Sequence, residues 1–324
     1  MKLNSLAISV LQSTEKFRYK QNSMHCIKSC FDKIMHVLKD ILGTDIPVSG
    51  NLLRPGPKPK FSDIEVIALS IVAEALSIDS ENYLFHKLNT DYKKDFPNIL
   101  SRRQYNDRRK GLFEVMEKVR QKIADILNEI TDVYAIDSMP MEICKLSREK
   151  RNKMGKHEEY TKPSKGFCAS QNKYFYGYKL HAVCSPVGVI QCLNITNAST
   201  HDISYLKEIK DELKNCIVTG DRGYIAAALK KELMEKSNIL LEVPSRSNQL
   251  TKVKVIKPLR NIRKRIETVF SQLCDQFMIQ RNYAKQFLGY KTRILSKVLG
   301  MTVLQWINKF IRAKPVGQIK YALS

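Results

Sequence analysis

The sequence predicts two architectures in one chain, an all-helical N-terminal region followed by a mixed α/β domain. Up to residue 130, apolar residues recur mostly at three- and four-residue steps, which is the spacing of amphipathic helices. After that point, short apolar runs rich in strand-forming residues alternate with helical segments. With 324 residues and 43% hydrophobic content, the chain is long enough for two domains and one full α/β core.

Helices are predicted on both sides of a basic linker. Residues 15–43 carry an apolar face with helical spacing. Two Pro-Lys units and a glycine exclude a helix across residues 51–63, which therefore form a linker or arm that contains Lys58 and Lys60. The sequence SDIE at its end, residues 62–65, is a capping box, so the next helix begins there.

A second capping box, SRRQ at residues 101–104, begins a helix rich in basic side chains. DNA-recognition helices present their N-terminal residues to base edges and phosphates, so two capped helices with this charge favour a helix-turn-helix-like module. An ordinary helical bundle with a solvated basic face is the alternative. The cations of this helix are Arg102, Arg103, Arg108, Arg109 and Lys110.

The α/β region begins with three predicted strands and continues with alternating helices and strands. The predicted strands are VYAID, YFYGYKLHAVC, GVIQCLNITN, NCIVTGD and NILLEVP, and the turn SPVG joins the second and third into a hairpin. The predicted helices are STHDISYLKEIKDEL, YIAAALKKELMEK, a long one from Pro258 and a last one at TRILSKVLGMTVLQWINKFI. The basic stretch at residues 145–166 is predicted as a loop or short helices. This order is that of a ribonuclease-H-like mixed sheet with flanking helices, whereas a flavodoxin-like order lacks the opening meander.

The net charge of the chain limits the classes of partner that it is expected to bind. Lysine and arginine number 55 against 32 acids, a net charge of +23 that is spread along the sequence. Such an excess favours a polyphosphate partner, although basic ribosome-associated and membrane-surface proteins share it. No apolar run approaches the roughly 18 residues of a membrane span. The eight cysteines form no Cys-x-x-Cys pair, so zinc is not favoured and a reducing cytoplasm is expected.

Two predicted strands end in an acid. Asp137 closes the run VYAID, with Ser138 and Pro140 expected to turn the chain away, and Asp221 closes CIVTGD. Each could simply begin a turn. In the predicted sheet, however, their strands are neighbours, so both carboxylates would lie at one edge and repel each other. A divalent cation such as Mg²⁺, which takes oxygen ligands, would relieve that repulsion.

A third acid lies on the long helix that begins near Pro258. Glu267 falls about 100° around the helix from Ile266, on the margin of the buried face. Arg260 and Arg263 share that margin. The alternative is an i,i+4 pair between Arg263 and Glu267 on a solvated face.

Four polar residues near these acids have ordinary explanations. Asp202 falls at a helix N-terminus, where a capping acid is expected, with Ser199 or Thr200 as the N-cap. His181 and His201 are typical of core or surface histidines. Lys179 could meet a phosphate or could simply alternate along its strand.

Five motifs in one order carry a family resemblance. YAIDSMP, YFYGYKLHAV, NASTHDI, TGDRGY and RIETVFSQL together resemble the DDE transposases of bacterial insertion sequences, nearest to the insertion-sequence-982 group, over roughly residues 55–310. The resemblance implies a ribonuclease-H-like catalytic domain with two Mg²⁺ or Mn²⁺ ions held by Asp137, Asp221 and Glu267. It also implies double-stranded DNA as partner, at the element ends and at the target, a homodimer on that DNA, and neither a nucleotide cofactor nor a membrane. The expected location is the bacterial cytoplasm, at the nucleoid.

One part of the family pattern is altered here. Related transposases carry the signature Tyr-x-x-Arg-x-x-x-Glu-x-x-x-x-x-x-Lys. Arg263 and Glu267 fit it, whereas Arg260 stands at the tyrosine position and Cys274 at the lysine position. Arg281 would share the margin of Glu267 if the helix continued, and could then replace the missing lysine.

The sequence thus predicts four regions and one activity. The regions are an N-terminal helical segment (1–50), a helical DNA-binding region (51–130), the catalytic domain (131–285) and a C-terminal helix and tail (286–324). The activity is nicking of element ends and joining of the freed 3′-OH to target DNA by two-metal phosphoryl transfer. A structure-specific nuclease and an inactive DNA-binding protein derived from a transposase are the alternatives. The predicted DNA contacts are Lys58, Lys60, Arg102, Arg103, Arg108, Arg109, Lys179, Arg222, Arg260, Arg263 and Arg281.

Overall fold

The computed structural model describes residues 26–43, 46–155, 161–245 and 256–323. The helices are α1 (Ile27–Leu42), α2 (Asp63–Ala75), α3 (Glu81–Thr90), α4 (Arg102–Gly111), α5 (Phe113–Leu127), α6 (Leu206–Glu212), α7 (Ala227–Ser237), α8 (Lys257–Asp275) and α9 (Phe287–Trp306). The strands are β1 (Val133–Cys144), β2 (Ser164–Cys168), β3 (Lys173–Cys184), β4 (Ile190–Asn197), β5 (Cys216–Thr219) and β6 (Ile239–Glu242). Within the predicted helix at 15–43, residues 15–25 lie outside the described residues.

The chain divides into two compact units. Among the described residues, the helical unit comprises those up to Ile123 together with those from Ile294 onward, and the sheet unit comprises those from Ala124 to Arg293. The predicted division at residues 285 and 286 differs, because the C-terminal part of α9 packs with the N-terminal helices. None of the described helices is long and apolar enough to cross a membrane.

Two contacts explain why the C-terminal part of α9 belongs to the helical unit. Ser296 accepts a hydrogen bond from Ser70 of α2, with 2.9 Å between their hydroxyl oxygens. Lys297 forms an ion pair with Glu74 of α2, and both side chains are buried. Helix α2 is buried along most of its length and begins with the predicted capping box, in which Glu65 bonds back to Ser62.

The sheet unit is built on a six-stranded mixed sheet. Its order is β2-β3-β1-β5-β6, and β4 also pairs with β3. Strand β3 is antiparallel to β1 and β4, whereas β1, β5 and β6 are mutually parallel. An antiparallel meander next to a parallel pair is the ribonuclease-H-like arrangement predicted from the element order.

Helices cover the sheet. Ile136, Val183 and Val218 of the strands pack with Leu206 of α6 and Leu233 of α7 in one apolar cluster. Helix α8 packs against β1, β3 and β5 and contributes nothing to that cluster, so it covers the opposite face.

Strand β1 is longer than predicted. It does not end at Asp137 but continues through Ser138 and Pro140, paired with β3 as far as Cys144. Strand β5 pairs with β1 only up to Ala135, so the described residues place no strand on that edge of β1 beyond this point. Proline, which cannot donate to a ladder, is tolerated on such an edge.

The basic stretch at 145–166 contains a strand that the sequence did not predict. Residues Leu146–Arg151 form a 3₁₀ helix, which agrees with a short helix, but Ser164–Cys168 form β2 on the edge of β3. Residues 156–160 of this stretch lie outside the described residues. The strand has only five residues, SKGFC, and lacks the apolar alternation by which strands are recognised.

Candidate active site

Asp137 lies where β1 loses its parallel neighbour. Its carboxylate accepts a hydrogen bond from the backbone N–H of Ser138, with 2.8 Å between Oδ1 and N. The pKa of Asp137 is raised to about 7, chiefly by burial and also by the charges of Asp221 and Asp202, while the Ser138 N–H and Arg263 act in the opposite direction. A carboxyl group with such a pKa sits in a site where negative charge is poorly compensated.

Asp221 follows β5, the strand parallel to β1. It is the N-cap of the 3₁₀ helix Arg222–Tyr224 and accepts a hydrogen bond from the N–H of Gly223 at 2.7 Å. The residue before it, Gly220, lies so close to β1 that an added Cβ would be 3.0 Å from Ile136 Cγ2. The prediction that the strands of Asp137 and Asp221 are neighbours is therefore confirmed.

Asp202 is a third acid at this edge, and the prediction that it caps a helix is wrong. A 3₁₀ helix at Asp202–Tyr205 precedes α6, and His201 is the N-cap without any side-chain capping bond. Asp202 Oδ1 instead accepts from Ser138 Oγ at 2.8 Å and from Lys179 Nζ at 3.1 Å. The preference of acids for helix N-termini predicted the position but could not predict these two tertiary donors.

Tyr224 lies among the three acids. Burial raises the pKa of its hydroxyl well above the usual value, and Asp137, Asp202 and Asp221 all contribute to the rise. The residue is 1% exposed, and an interaction with the Ser138 side chain partly offsets the rise in its pKa.

Glu267 stands apart from the two aspartates. Ile266, Val269, Phe270 and Leu273 form the buried face of α8, as predicted, while the Glu267 side chain is 56% exposed. Its carboxylate pairs with Arg263 at 3.7 Å, which is the alternative that the sequence left open. Arg263 in turn acts on Asp137, because its charge lowers the pKa of that carboxyl group.

The predicted triad is therefore not assembled as a set of ligands in this structure. Within the described part of the chain, no group of three or more histidine, cysteine, aspartate or glutamate side chains is arranged to hold a metal ion. Asp137 and Asp221 are brought together with Asp202, and Arg263 interacts both with Asp137 and with Glu267.

His181 is a core histidine, one of the two ordinary explanations given above. It is fully buried on β3 and bonds through Nε2 to Thr196 Oγ1 at 2.8 Å. Burial lowers the pKa of its imidazole to about 4, so the ring is neutral near pH 7. Its Nδ1 lies 4.0 Å from Asp202 Oδ1.

The predicted DNA contacts fall into two groups. Lys58, Lys60, Arg102, Arg103, Arg222, Arg260 and Arg281 are exposed, and Arg263 and Lys179 are partly covered. Arg109, by contrast, is 3% exposed and pairs with Glu81 at 2.6 Å, while Arg108 pairs with buried Asp63. Since acids inside the helical unit already bind Arg108 and Arg109, we leave these two out of the DNA-binding set.

Two geometric expectations for the basic helices are corrected. Helix α3 lies in the sequence between α2 and α4, the two helices that begin with capping boxes. The connection between α3 and α4, residues 91–101, is longer than the turn of a helix-turn-helix motif. Helix α8 ends at Asp275, and Met278 adopts a positive φ of 47°. Arg281 is therefore not on the helix margin of Glu267.

The comparisons with known proteins identify the family of this chain. Residues 129–302, more than half of the chain, match the family described as "Transposase DDE domain". The chain therefore belongs to the DDE transposase family.

One solved structure is reported for comparison. It is the Mos1 transposase paired-end complex with left transposon end, which shares 12% identity over 87% of this chain and 97% of that chain, with a TM-score of 0.22. No curated protein sequence gives a significant match.

Proposed function

We propose that this transposase nicks insertion-sequence ends and joins the freed 3′-OH to target DNA, as in the insertion-sequence-982 group. The observation that carries the proposal is the placement of Asp137 on β1 and of Asp221 just after the neighbouring parallel strand β5, where the charge of Asp221 helps to raise the pKa of Asp137. A structural acid would be matched by a cation, as Glu81 is matched by Arg109. Perturbed carboxyl groups that lack such a match are typical of catalytic sites.

Two Mg²⁺ or Mn²⁺ ions are the proposed cofactors, with Asp137, Asp221 and Glu267 as their ligands. The residues present fit hard cations, because the acids supply carboxylate oxygens and the charges of Asp221 and Asp202 act unfavourably on ionised Asp137, which a cation would relieve. Glu267 can serve only if its ion pair with Arg263 opens. When bound, such ions would activate an attacking water or 3′-OH and stabilise the leaving oxygen.

The chain's own residues orient the acids. The Ser138 N–H holds one oxygen of Asp137, and the Gly223 N–H holds one oxygen of Asp221. The second oxygen of each carboxylate is then available to bind a ligand. Since charge must be placed accurately in the transition state, such fixed orientation is expected to matter for rate.

DNA contact is proposed for the exposed cations in both units. They are Lys58, Lys60, Arg102, Arg103, Arg222, Arg260 and Arg281, with partly covered Lys179 and Arg263. Each would bind a backbone phosphate and release counterions, so affinity should fall with salt. We further propose that the protein acts as a homodimer on double-stranded DNA at the bacterial nucleoid.

A strand-transfer assay tests the function. Labelled DNA carrying the sequence that flanks the reading frame is incubated with plasmid and Mg²⁺, and nicked and joined products are counted. Asp221→Asn, which keeps the shape and removes one charge, should lower both products about a thousandfold, because several kcal/mol of transition-state stabilisation is lost. Glu232→Gln, an acid of α7 already paired with Lys210 and Lys236, is the control and should match the wild type.

Each outcome has a distinct meaning. Nicking without joining would favour the nuclease alternative. Neither product from the wild-type chain, with DNA binding retained, would favour the inactive DNA-binding alternative. Full activity of Asp221→Asn would contradict the assignment of Asp221.

A further inference from the structure

Asp202 is held by donors from two strands of the sheet. Its Oδ1 accepts from Ser138 of β1 at 2.8 Å and from Lys179 of β3 at 3.1 Å. Lys179 also donates to the backbone oxygen of Thr200 at 2.9 Å. The segment that precedes α6 is thereby fastened to β1 and β3 together.

Ser138 connects Asp202 with Asp137. Its hydroxyl donates to Asp202, and its backbone N–H donates to Asp137 Oδ1 at 2.8 Å. Strand β5 does not pair with β1 at this position, so the described residues give this edge of β1 no strand to hold it. The Asp202 bond is therefore a direct restraint on the residue whose amide orients Asp137.

A purely local role does not explain Asp202. The residue makes no capping bond, and its carboxylate lies close enough to Asp137 for the two negative charges to repel each other. The fully buried Nδ1 of His181 finds no hydrogen-bond partner among the described residues and lies 4.0 Å from Asp202 Oδ1. The repulsion between Asp202 and Asp137 and the unpaired nitrogen of His181 are both unfavourable for folding. Their presence around Asp202 indicates that the site requires this carboxylate for its function.

We propose that Asp202 is a positioning residue for the catalytic centre: it fixes Ser138 and, through the Ser138 amide, the carboxylate of Asp137. The proposal rests on the function proposed above. It assigns to Asp202 no contact with DNA or metal. Residues that orient a metal ligand in this way typically change metal affinity or activity about 10- to 100-fold when removed.

The test measures Mn²⁺ affinity by calorimetry without DNA, and then single-turnover nicking at saturating DNA. Asp202→Ala should weaken Mn²⁺ binding and slow nicking about tenfold or more, with the Kd for DNA changed less than about twofold. Ser138→Ala breaks the same bond and should give the same loss. The double variant should be no worse than either single variant, because the two residues act as one unit.

Two further variants separate positioning from general damage. Asp202→Asn keeps an oxygen that accepts from Ser138, so it should restore much of the Mn²⁺ affinity lost in Asp202→Ala. Asp211→Ala removes an exposed acid of α6 outside this network and should behave as the wild type.

Wild-type affinity and rate in Asp202→Ala would overturn the inference and leave the proposed function intact. Additive losses in the double variant, or an Asp202→Asn as impaired as Asp202→Ala, would also overturn it. A wild-type chain that neither binds Mn²⁺ nor nicks DNA would instead overturn the proposed function, and the inference with it.

Discussion

Buried acids of the helical unit and the acids beside β1 and β5 in the sheet unit are compensated in different ways. In the helical unit, buried Asp63 binds Arg54 and Arg108, and Glu74 binds Lys297. In the sheet unit, Asp137 and Asp221 lie close to each other. Their neighbourhood includes a third acid, Asp202, whose own cation is Lys179.

The difference separates structural acids from functional ones. An acid matched by a buried cation is fully used inside the fold, and its removal is felt as lost stability. Acids that repel one another destabilise the fold and retain capacity for an external cation. Net charge and sequence motifs alone do not distinguish the two kinds.

The largest expected effect on stability is in the helical unit. Lys297→Met leaves Glu74 buried and unpaired, so the free energy of unfolding should fall by about 3–5 kcal/mol. Chemical denaturation followed by circular dichroism measures it. Lys231→Met breaks the exposed pair with Glu235 and should change stability by less than about 1 kcal/mol. Equal effects of the two variants would show that the Glu74 pair is not a structural element.

A smaller effect of the opposite sign is expected from Asp137. Its pKa in the folded protein, about 7, lies above the unfolded value, so the folded state binds the proton more tightly. Ionisation of Asp137 therefore lowers the stability of metal-free protein as pH rises from about 4 to 7. Asp137→Asn should remove this decline and stabilise the protein at pH 8 by about 1–2 kcal/mol. This is less than the free energy that corresponds to the whole pKa shift, because the carboxyl group is partly exposed to solvent.

Thermal unfolding in chelator at pH 4 and pH 8 checks this sign. The wild type and Asp137→Asn should differ at pH 8 and converge at pH 4. A variant less stable than the wild type at pH 8 would mean that Asp137 is compensated after all.

The smallest expected effect is on the affinity for duplex DNA. Arg102 is exposed at the start of α4, unlike Arg108 and Arg109 on the same helix. Arg102→Ala should weaken binding to duplex DNA a few-fold and reduce the slope of log K against log salt by about 0.9, the loss of one phosphate contact. Fluorescence anisotropy at several salt concentrations measures both. An unchanged slope would place Arg102 outside the DNA contact, and Lys231→Ala provides a comparison on the exposed face of α7.

Local signals predicted much of this fold. The capping boxes at Ser62 and Ser101 and the apolar face around Ile266 are all present in the structure. The neighbouring positions of Asp137 and Asp221 followed from strand order, which depends on the sequence of elements and not on side-chain packing. These features are determined within a few residues or by topology.

Tertiary partners were not predictable in the same way. Nothing near Arg109 in the sequence marks Glu81 as its partner, and nothing near Asp202 marks Ser138. The length of β1 was missed because Pro140 usually ends a strand, and only the absence of β5 beyond Ala135 makes it acceptable there. The end of α8 before Arg281 depends likewise on how the following residues pack.

Mn²⁺ binding in the absence of DNA tests the central claim most directly. Calorimetric titration of the wild type should give a saturable heat that is lost in Asp137→Asn and Asp221→Asn and retained in Glu232→Gln. That result would show that the facing acids of the sheet unit, and not acidity in general, hold the cation. Equal binding in all four proteins, or none in the wild type, would contradict the claim that these carboxylates form a metal centre.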